Sequence, residues 1–299
     1  MTAAGSGSSD IAGAASKRLR RRPLHRTRIV NRKPSRSAAI FLGLLPFLIV
    51  VVVYAVASAD RLADNPQDRL LPSIGQMWET FRTYAFTPDQ RTGDNLLWAD
   101  TLSSLKRLFL GLVISGLLAL TLGISIGFLP MVRAGLGPFV AAISLIPPLA
   151  VLPILFLLLG LGDTAKVALI VIGIAPIMVR SVARSVSEIP EEQIIKAETL
   201  GASTWQMITR LALPLAMPPL VSALRLGLGP AWIFLISAEG IQATDGLGYR
   251  IFLVRRYLAM DVILPYVAWI TLIAYLIDLS LRLTSRRLFR WAYPKGASL

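Results

Sequence analysis

The chain contains no cysteine, which excludes disulfide cross-links, thiolate metal sites and a cysteine nucleophile. Its single histidine, His25, sits in a basic stretch, so histidine metal sites and histidine acid–base chemistry are excluded as well. No Gly-Lys pair occurs, whereas the phosphate-binding loop of P-loop ATPases needs Gly-Lys followed by Ser or Thr. Charge is scarce: Asp, Glu, Lys and Arg make up 16% of the 299 residues while 55% are hydrophobic, too apolar a balance for an ordinary soluble domain. What the chain has in abundance is long uncharged runs.

Three of these runs reach the roughly 20 residues needed to cross a bilayer. They are Ala38 to Ala57 with 20 uncharged residues, Leu108 to Val132 with 25 and Ala134 to Gly162 with 29. Three further segments are less clean: Val167 to Val179 lies between Lys166 and Arg180, whose stems can snorkel, Leu211 to Ala238 is interrupted by Arg225, and Val262 to Ile277 leads into Asp278. The expected fold is an all-α membrane protein with six transmembrane helices, the third carrying Pro138, Pro147, Pro148 and Pro153.

The net charge of +14 is unevenly placed. Lys and Arg concentrate in the stretch up to Arg36, around Arg133, from Arg180 to Arg210 and after Arg282, whereas the alternate connections are near neutral. This is the positive-inside pattern with both termini cytoplasmic, and anionic lipid accounts for the charge without nucleic acid. The expected organisation is a disordered basic tail over 1–37, a first helix over 38–57 and an external segment over 58–104. A membrane core follows over 105–284, with a cytoplasmic loop at about 185–214, then a basic tail over 285–299. The 20-residue apolar stretch exceeds a signal-peptide core, so the first helix is expected to be uncleaved. Within the external segment, Leu71, Ile74, Met77, Trp78 and Phe81 form a helical stripe that suits the outer membrane surface or packing on the protein itself.

One polar, helix-forming insert stands between two apolar segments, from Pro190 to Pro218. Pro190 suits a first helical position, Glu191 and Glu192 suit the positive end of the helix dipole, and Gly201 can take the left-handed conformation that ends a helix. Ser203 with Gln206 forms a capping box, Trp205, Ile208 and Leu211 give an apolar stripe, and Pro214 is expected to stop the second helix. Two readings stay open: a docking surface for a soluble partner, or an amphipathic connector on the membrane surface.

The run Ala197, Glu198, Thr199, Leu200, Gly201, Ala202, Ser203, followed by Leu213 and Pro214, resembles the EAA loop of ABC importer permeases. Aligned on Gly201, the family's leading Glu falls at Ile195 and its first Ala at Lys196, so only Ala197 keeps that triplet. From Leu70 to Trp291 the chain is similar to the permeases that import nitrate, sulfonates and taurine. The landmarks are LLPSIGQMWETF from Leu70, SLKRLFLG at Ser104 to Gly111, IPPLAVLPILFLLLGLGD at Ile146 to Asp163, LGPAWIFLISAE at Leu228 to Glu239 and GLGY at Gly246 to Tyr249. The resemblance implies a type I ABC importer permease fold and a homodimer. Its implied partners are a separate ATP-binding subunit that uses ATP and magnesium, an extracytoplasmic solute-binding protein and the lipid bilayer. It implies no cofactor on this chain. ATPase coupling falls to Lys196, Ala197, Glu198, Leu200, Gly201, Ala202, Ser203, Trp205 and Pro214.

Candidate pathway or gate residues follow from the cost of charge and of broken backbone inside a bilayer. They are Pro147, Pro148, Pro153, Arg225 and Glu239. For Glu239 an interfacial pairing with Arg250, Arg255 or Arg256 and a gate role stand side by side; Asp278 is expected to pair with Arg282. Gly111, Gly116, Gly123 and Gly127 permit close helix approach. An ion-gradient-driven secondary transporter is the competing class, and its ion sites would have to be Glu239 and Asp278.

Overall fold

The computed structural model describes residues 34–66, 68–90 and 93–292. The expectation of a disordered basic tail, His25 included, falls on residues 1–33, outside the described residues, as do residues 293–299 of the C-terminal tail. The chain divides into two units, residues 1–53 and 54–299. The described part of the first is most of helix α1 (Arg36–Asp64). Its Val50 to Val53 run favours strands in water, but a segment crossing lipid must satisfy its own backbone, which imposes helix.

The second unit is helical throughout its described residues. After the end of α1 come α2 (Ile74–Phe86), α3 (Leu96–Phe128), α4 (Pro130–Ile143), α5 (Pro148–Leu159), α6 (Asp163–Ser187), α7 (Glu191–Thr199), α8 (Thr204–Met207), α9 (Leu213–Gln242), α10 (Leu247–Arg255) and α11 (Met260–Leu288). By length and hydropathy five helices can cross a membrane: α1, α3, α6, α11 and the continuous stretch Thr204–Gln242. The sixth expected span is the bent pair α4 and α5, counted as one. The uncharged run from Ala134 to Gly162 forms two helices, α4 and α5, bent by 93° at their junction. Neither Pro147 nor Pro148 has an N–H to continue the ladder, and a residue preceding proline is driven out of the helical region, so Pro147 adopts φ −66°, ψ 113°. Pro138 and Pro153 remain inside α4 and α5.

Glycine sets the core. A Cβ at Gly111 would lie 2.6 Å from Ile170, one at Gly123 would lie 2.8 Å from Val182, and one at Gly127 would lie 2.6 Å from both Val186 and the Ala183 carbonyl. These pairs advance together, so α3 and α6 run parallel with their backbones in close approach. Against them α9 runs antiparallel, with Phe234 on Gly173, and Gly227 beside Ile174 and Met178. The expected small-residue face is therefore the α3–α6 contact, with Gly116 turned toward Leu224 of α9.

Helix α2 rests on α11 and α3. Phe81 meets Trp269 at a ring separation of 5.8 Å, and Tyr84 meets Tyr266 edge-on at 6.0 Å. The predicted stripe is thus only partly turned inward, since Ile74 and Trp78 are exposed. Ser73 and Gln76 start α2 with a capping box: the Gln76 N–H donates to Ser73 Oγ (3.2 Å) and the Ser73 N–H to Gln76 Oε1 (2.8 Å). The end of α1 is tied to the following connector by Tyr54 Oη donating to the Pro72 carbonyl at 2.7 Å. Arg133 closes the α3–α4 turn by donating to the carbonyls of Ile126 and Gly127.

Replacing Gly127 with leucine should cost about 1–3 kcal/mol through overpacking and lower the unfolding temperature in detergent. Gly135→Leu, where a Cβ meets nothing within 4 Å, should leave it unchanged. Differential scanning fluorimetry of the two purified variants measures the contrast.

Candidate functional site

The loop between α6 and α9 folds as two short helices for local reasons. Pro190 is the residue before α7, with extended backbone, one position earlier than expected; Glu191 and Glu192 fill the first turn and Lys196 the last. Gly201 then takes φ +77°. Its N–H donates to the Glu198 carbonyl at 2.9 Å and that of Ala202 to the Ala197 carbonyl at 3.1 Å, closing the helix C-terminus with both paired bonds of a Schellman motif. Ser203 and Gln206 form the predicted capping box at the start of α8.

Within this loop Lys196, Glu198, Leu200, Gly201, Ser203, Trp205 and Pro214 are exposed, and Ala197 and Ala202 are half-buried. Leu200 at 81% and Trp205 at 72% exposure, with Ile195 beside them in sequence, put large apolar groups on an otherwise polar loop. Trp205 is thus not on the inward stripe with Ile208, which packs at the margin of the core.

Pro214 does not end the second helix. Residues 208–212 form a π-helical turn in which the Leu213 N–H donates to the Ile208 carbonyl, five residues back. The wider turn brings Pro214, which has no N–H to give, into the first turn of α9, where none is required. The helix therefore continues unbroken from Thr204 to Gln242.

At the opposite end of the same helices lies a buried charged network. Asp100, Ser104 and Arg107 follow one another at i, i+4 and i+7 on α3, which places them on one face. Arg107 is 3% exposed and meets three carboxylates: Asp163 from Nε (2.7 Å), Glu239 from Nη1 (2.7 Å) and Asp245 from Nη2 (2.6 Å). Glu239 is fully buried and also accepts from Ser104 Oγ (2.9 Å) and the Gly248 N–H (2.9 Å). Asp100 accepts from Arg250 Nε at 2.8 Å, from Tyr266 Oη at 3.3 Å and from the Gly246 N–H at 3.1 Å. Gly246, at φ +113°, would bring a Cβ within 2.6 Å of the Glu239 carboxylate, so the α9–α10 turn fits against Glu239 only as glycine.

Glu239 is therefore not paired with Arg250, Arg255 or Arg256; its partner is Arg107, and Arg250 is held by Asp100. The i, i+4, i+7 spacing of Asp100, Ser104 and Arg107 beside an apolar run was the signal that could have located this site. Arg225 forms a two-point pair with Asp278 (2.7 and 3.1 Å), and Asp278 also accepts from the expected Arg282 at 3.0 Å. Lys166 does not snorkel: it is 3% exposed, with Nζ on the Leu161 carbonyl at 3.3 Å. Pro147 and Pro153 are exposed and Pro148 half-buried, and α5 reaches α9 through Leu152, Leu155 and Ala238. Beside the network a cavity of about 270 Å³ is lined by Lys106, Arg107, Leu110, Ile114, Asp163, Thr164 and Val167.

Arginine suits this centre because its fork serves several carboxylates at once and never loses its charge. Arg107→Met should destabilise the protein by about 3–5 kcal/mol, since it strands a buried carboxylate. The double variant Arg107→Met/Glu239→Leu should recover more than half of that loss, as read from the unfolding temperature in detergent.

Asp245 lies outside the spans. Burial pushes its carboxyl up, but hydrogen bonds from Ser103 and Arg107 and the charges of Arg107 and Lys166 outweigh burial and hold it below the usual aspartate range. A depressed folded value means that Asp245 stabilises the fold above the ordinary aspartate pKa of about 3.9 and loses that contribution as pH falls through the folded value. Asp245→Asn should accordingly flatten the pH dependence of the unfolding temperature below about pH 4, compared with the unsubstituted protein.

The family model for the binding-protein-dependent transport system inner membrane component matches residues 103–291. The chain is 35% identical over 269 residues to the taurine transport system permease protein TauC of Escherichia coli, spanning 90% of this chain and 95% of that protein. It is 27% identical to the nitrate import permease protein NrtB of Synechococcus elongatus, over 69% and 75% of the two chains. A crystal structure of a bacterial alginate ABC transporter in complex with its alginate-pentasaccharide-bound periplasmic protein superposes with a TM-score of 0.58 at 17% identity, covering 85% of this chain and 96% of that one. That likeness concerns the fold, which is of the type I importer kind. On the family match and the identity to its members, the chain belongs to the binding-protein-dependent inner membrane components, the permease subunits of ABC importers.

Proposed function

We propose that this permease carries a small anionic or zwitterionic solute, a sulfonate such as taurine or an inorganic anion such as nitrate, inward across a bacterial inner membrane. It works as a homodimer with two ATP-binding subunits on the α7–α8 side and a solute-binding protein on the side of the charged network. The ATP-binding subunits use ATP and magnesium; this chain lacks the Gly-Lys of a phosphate-binding loop and binds neither. Both termini face the cytoplasm, a reading supported by the distribution of Lys and Arg. The substrate class is taken from TauC and NrtB.

The observation that carries the coupling assignment is the pair of capped helices α7 and α8, turned at Gly201 and presenting Leu200 and Trp205 to solvent. Large apolar groups on an exposed polar loop are the form of a docking surface. Lys196, Ala197, Glu198, Ala202 and Ser203 shape that surface, and Pro214 with the π turn joins it to α9. Nucleotide-driven approach of the ATP-binding subunits then moves α9 as a body, which is rigid-body coupling without local chemistry. Glu239 with Arg107 acts as a clamp at the far end, Arg225 with Asp278 as an internal brace, and Pro147, Pro148 and Pro153 belong to the pathway. Among the described residues Glu239 and Asp278, the carboxylates a secondary transporter would have to use, are each paired with an arginine, which speaks against that class.

Gly201→Val should abolish co-purification of the ATP-binding subunit while leaving membrane insertion intact, because a β-branched residue cannot hold φ +77° without strain. Affinity purification of the assembled complex from membranes tests this. Retained ATP-binding subunit would refute the coupling role.

A further inference from the structure

The cavity between α3 and α6, beside the charged network, lies on a face of the bundle that suits lipid. Phe109, Leu110, Val113, Ile114 and Leu117 of α3 are all at least 40% exposed, Phe109 the most at 68%. Small residues let helices meet inside a membrane, and α3 keeps those, Gly111, Gly123 and Gly127, for α6. Its outward row is bulky and apolar instead, the composition of a surface covered by acyl chains. The outward side of α9 differs: Ser222, Gly229 and Pro230 are exposed there, a better fit to a second copy of the chain.

The lining of this cavity of about 270 Å³ changes character along its length. Lys106, Arg107, Asp163 and Thr164 line one end, at the edge of the uncharged run that starts at Leu108 and in the first turn of α6. Leu110, Ile114 and Val167 line the other, one to two turns further along the same parallel helices. From Lys106 to Ile114 is about 12 Å of helix, so the cavity is charged at headgroup level and apolar below it. A soluble ion has no use for the apolar end, whereas a lipid fits both. Lys106 is exposed, and among the described residues no carboxylate pairs with it. Asp163 is 48% exposed; its Oδ1 serves Arg107 and lies 3.8 Å from Lys166, while neither cation pairs with its Oδ2. Three cations, Lys106, Arg107 and Lys166, stand against three carboxylates, Asp163, Glu239 and Asp245, so the site is neutral as a whole. A neutral site offering a free ammonium and a half-free carboxylate complements a zwitterion better than an anion.

We propose that this cavity is a phospholipid site selective for phosphatidylethanolamine. Lys106 and the Thr164 hydroxyl donate to the phosphate, the headgroup ammonium donates to Asp163, and an acyl chain lies along Leu110, Ile114 and Val167. Because Asp163 also holds Arg107, the bound headgroup is tied to the charged network through a shared carboxylate.

The test uses the full-length permease, purified in detergent in its native assembly and stripped of lipid. It is titrated with the dioleoyl forms of phosphatidylethanolamine, phosphatidylcholine and phosphatidylglycerol, and bound lipid is counted by native mass spectrometry. Phosphatidylethanolamine should bind about tenfold more tightly than either of the others, since phosphatidylcholine has no N–H for Asp163 and phosphatidylglycerol has no positive charge. Lys106→Gln should weaken phosphatidylethanolamine binding about tenfold, and Lys106→Arg should restore most of it. Ile114→Trp, which fills the apolar end, should block binding, whereas Leu117→Trp, on the same exposed face but outside the cavity lining, should leave it unchanged. Equal binding of the three lipids would mean a non-selective lipid shell and would overturn the proposal. So would undiminished phosphatidylethanolamine binding in both Lys106→Gln and Ile114→Trp. A second measurement asks whether another copy of the chain covers the cavity. The chain has no cysteine, so Leu110→Cys supplies its one thiol, which should stay monomeric when native membranes are oxidised with copper phenanthroline. A disulfide-linked dimer of Leu110→Cys would put a second copy where the lipid is placed and would likewise overturn the assignment.

Discussion

The burial of one arginine between three carboxylates is the constraint on which the rest of this membrane bundle depends. Arg107 and Glu239 are 3% and 0% exposed, and a buried ion pair holds only if its remaining donors and acceptors are also satisfied. Here they are: Ser104 and the Gly248 N–H complete Glu239, and Asp163 and Asp245 complete Arg107. Each of these groups comes from a different part of the chain, so satisfying one side chain fixes α3, the start of α6, the end of α9 and the turn into α10 against each other. The glycines at 246 and 248 are consequences of this arrangement, since any side chain there would occupy the space of the Glu239 carboxylate or the Ile236 carbonyl.

A charged centre of this kind would be costly if the helices around it could drift apart and strand its members. The α3–α6 contact prevents that. With Gly111, Gly123 and Gly127 each under a branched side chain of α6, the two helices approach too closely to slide without collision. The same three helices that converge on Arg107 end, about 30 Å away along α3, at the turn where Arg133 caps the last carbonyls and α6 leads into α7. A polar clamp at one end and a coupling loop at the other are thereby joined by glycine-tight packing rather than by a string of side-chain contacts.

Much of this was legible from composition and period, and the reasons for the exceptions are physical. Length and hydropathy identified the spans because lipid imposes helix whatever the local propensity, as the valines of α1 illustrate. Local chemistry identified the Ser203–Gln206 box and the left-handed Gly201 because both depend on neighbours within four residues. Pro214 misled because a missing N–H bends or interrupts a helix without having to end it; here the π turn at 208–212 precedes Pro214, and the helix runs on past Pro218, Pro219 and Pro230 as well. The partner of Glu239 was illegible for a different reason. Arg107 lies 132 residues away in sequence, and nothing local to Glu239 distinguishes it from Arg250, Arg255 or Arg256, which are nearer in the chain. The prolines at 147 and 148 announced a bend, but not that it would reach 93° and divide the span.

The continuity of the helix from Thr204 to Gln242 ties these separate features into one mechanical argument. It begins at a capping box beside the exposed Trp205 and carries Arg225 midway and Glu239 near its end, so a displacement of the loop reaches the buried clamp through about 50 Å of one helix. A uniform rod would transmit motion without adjusting its ends to their different surroundings. The π turn at 208–212 and the prolines at 218, 219 and 230 interrupt the ladder at defined points, and it is at such interruptions that helices bend. Arg225 is held to Asp278 of α11 between the two sets of prolines, so bending above and below it leaves the middle of the helix fixed to its neighbour. On the proposed function, that division lets the loop follow the ATP-binding subunits while the clamp at Glu239 changes only as its own segment turns.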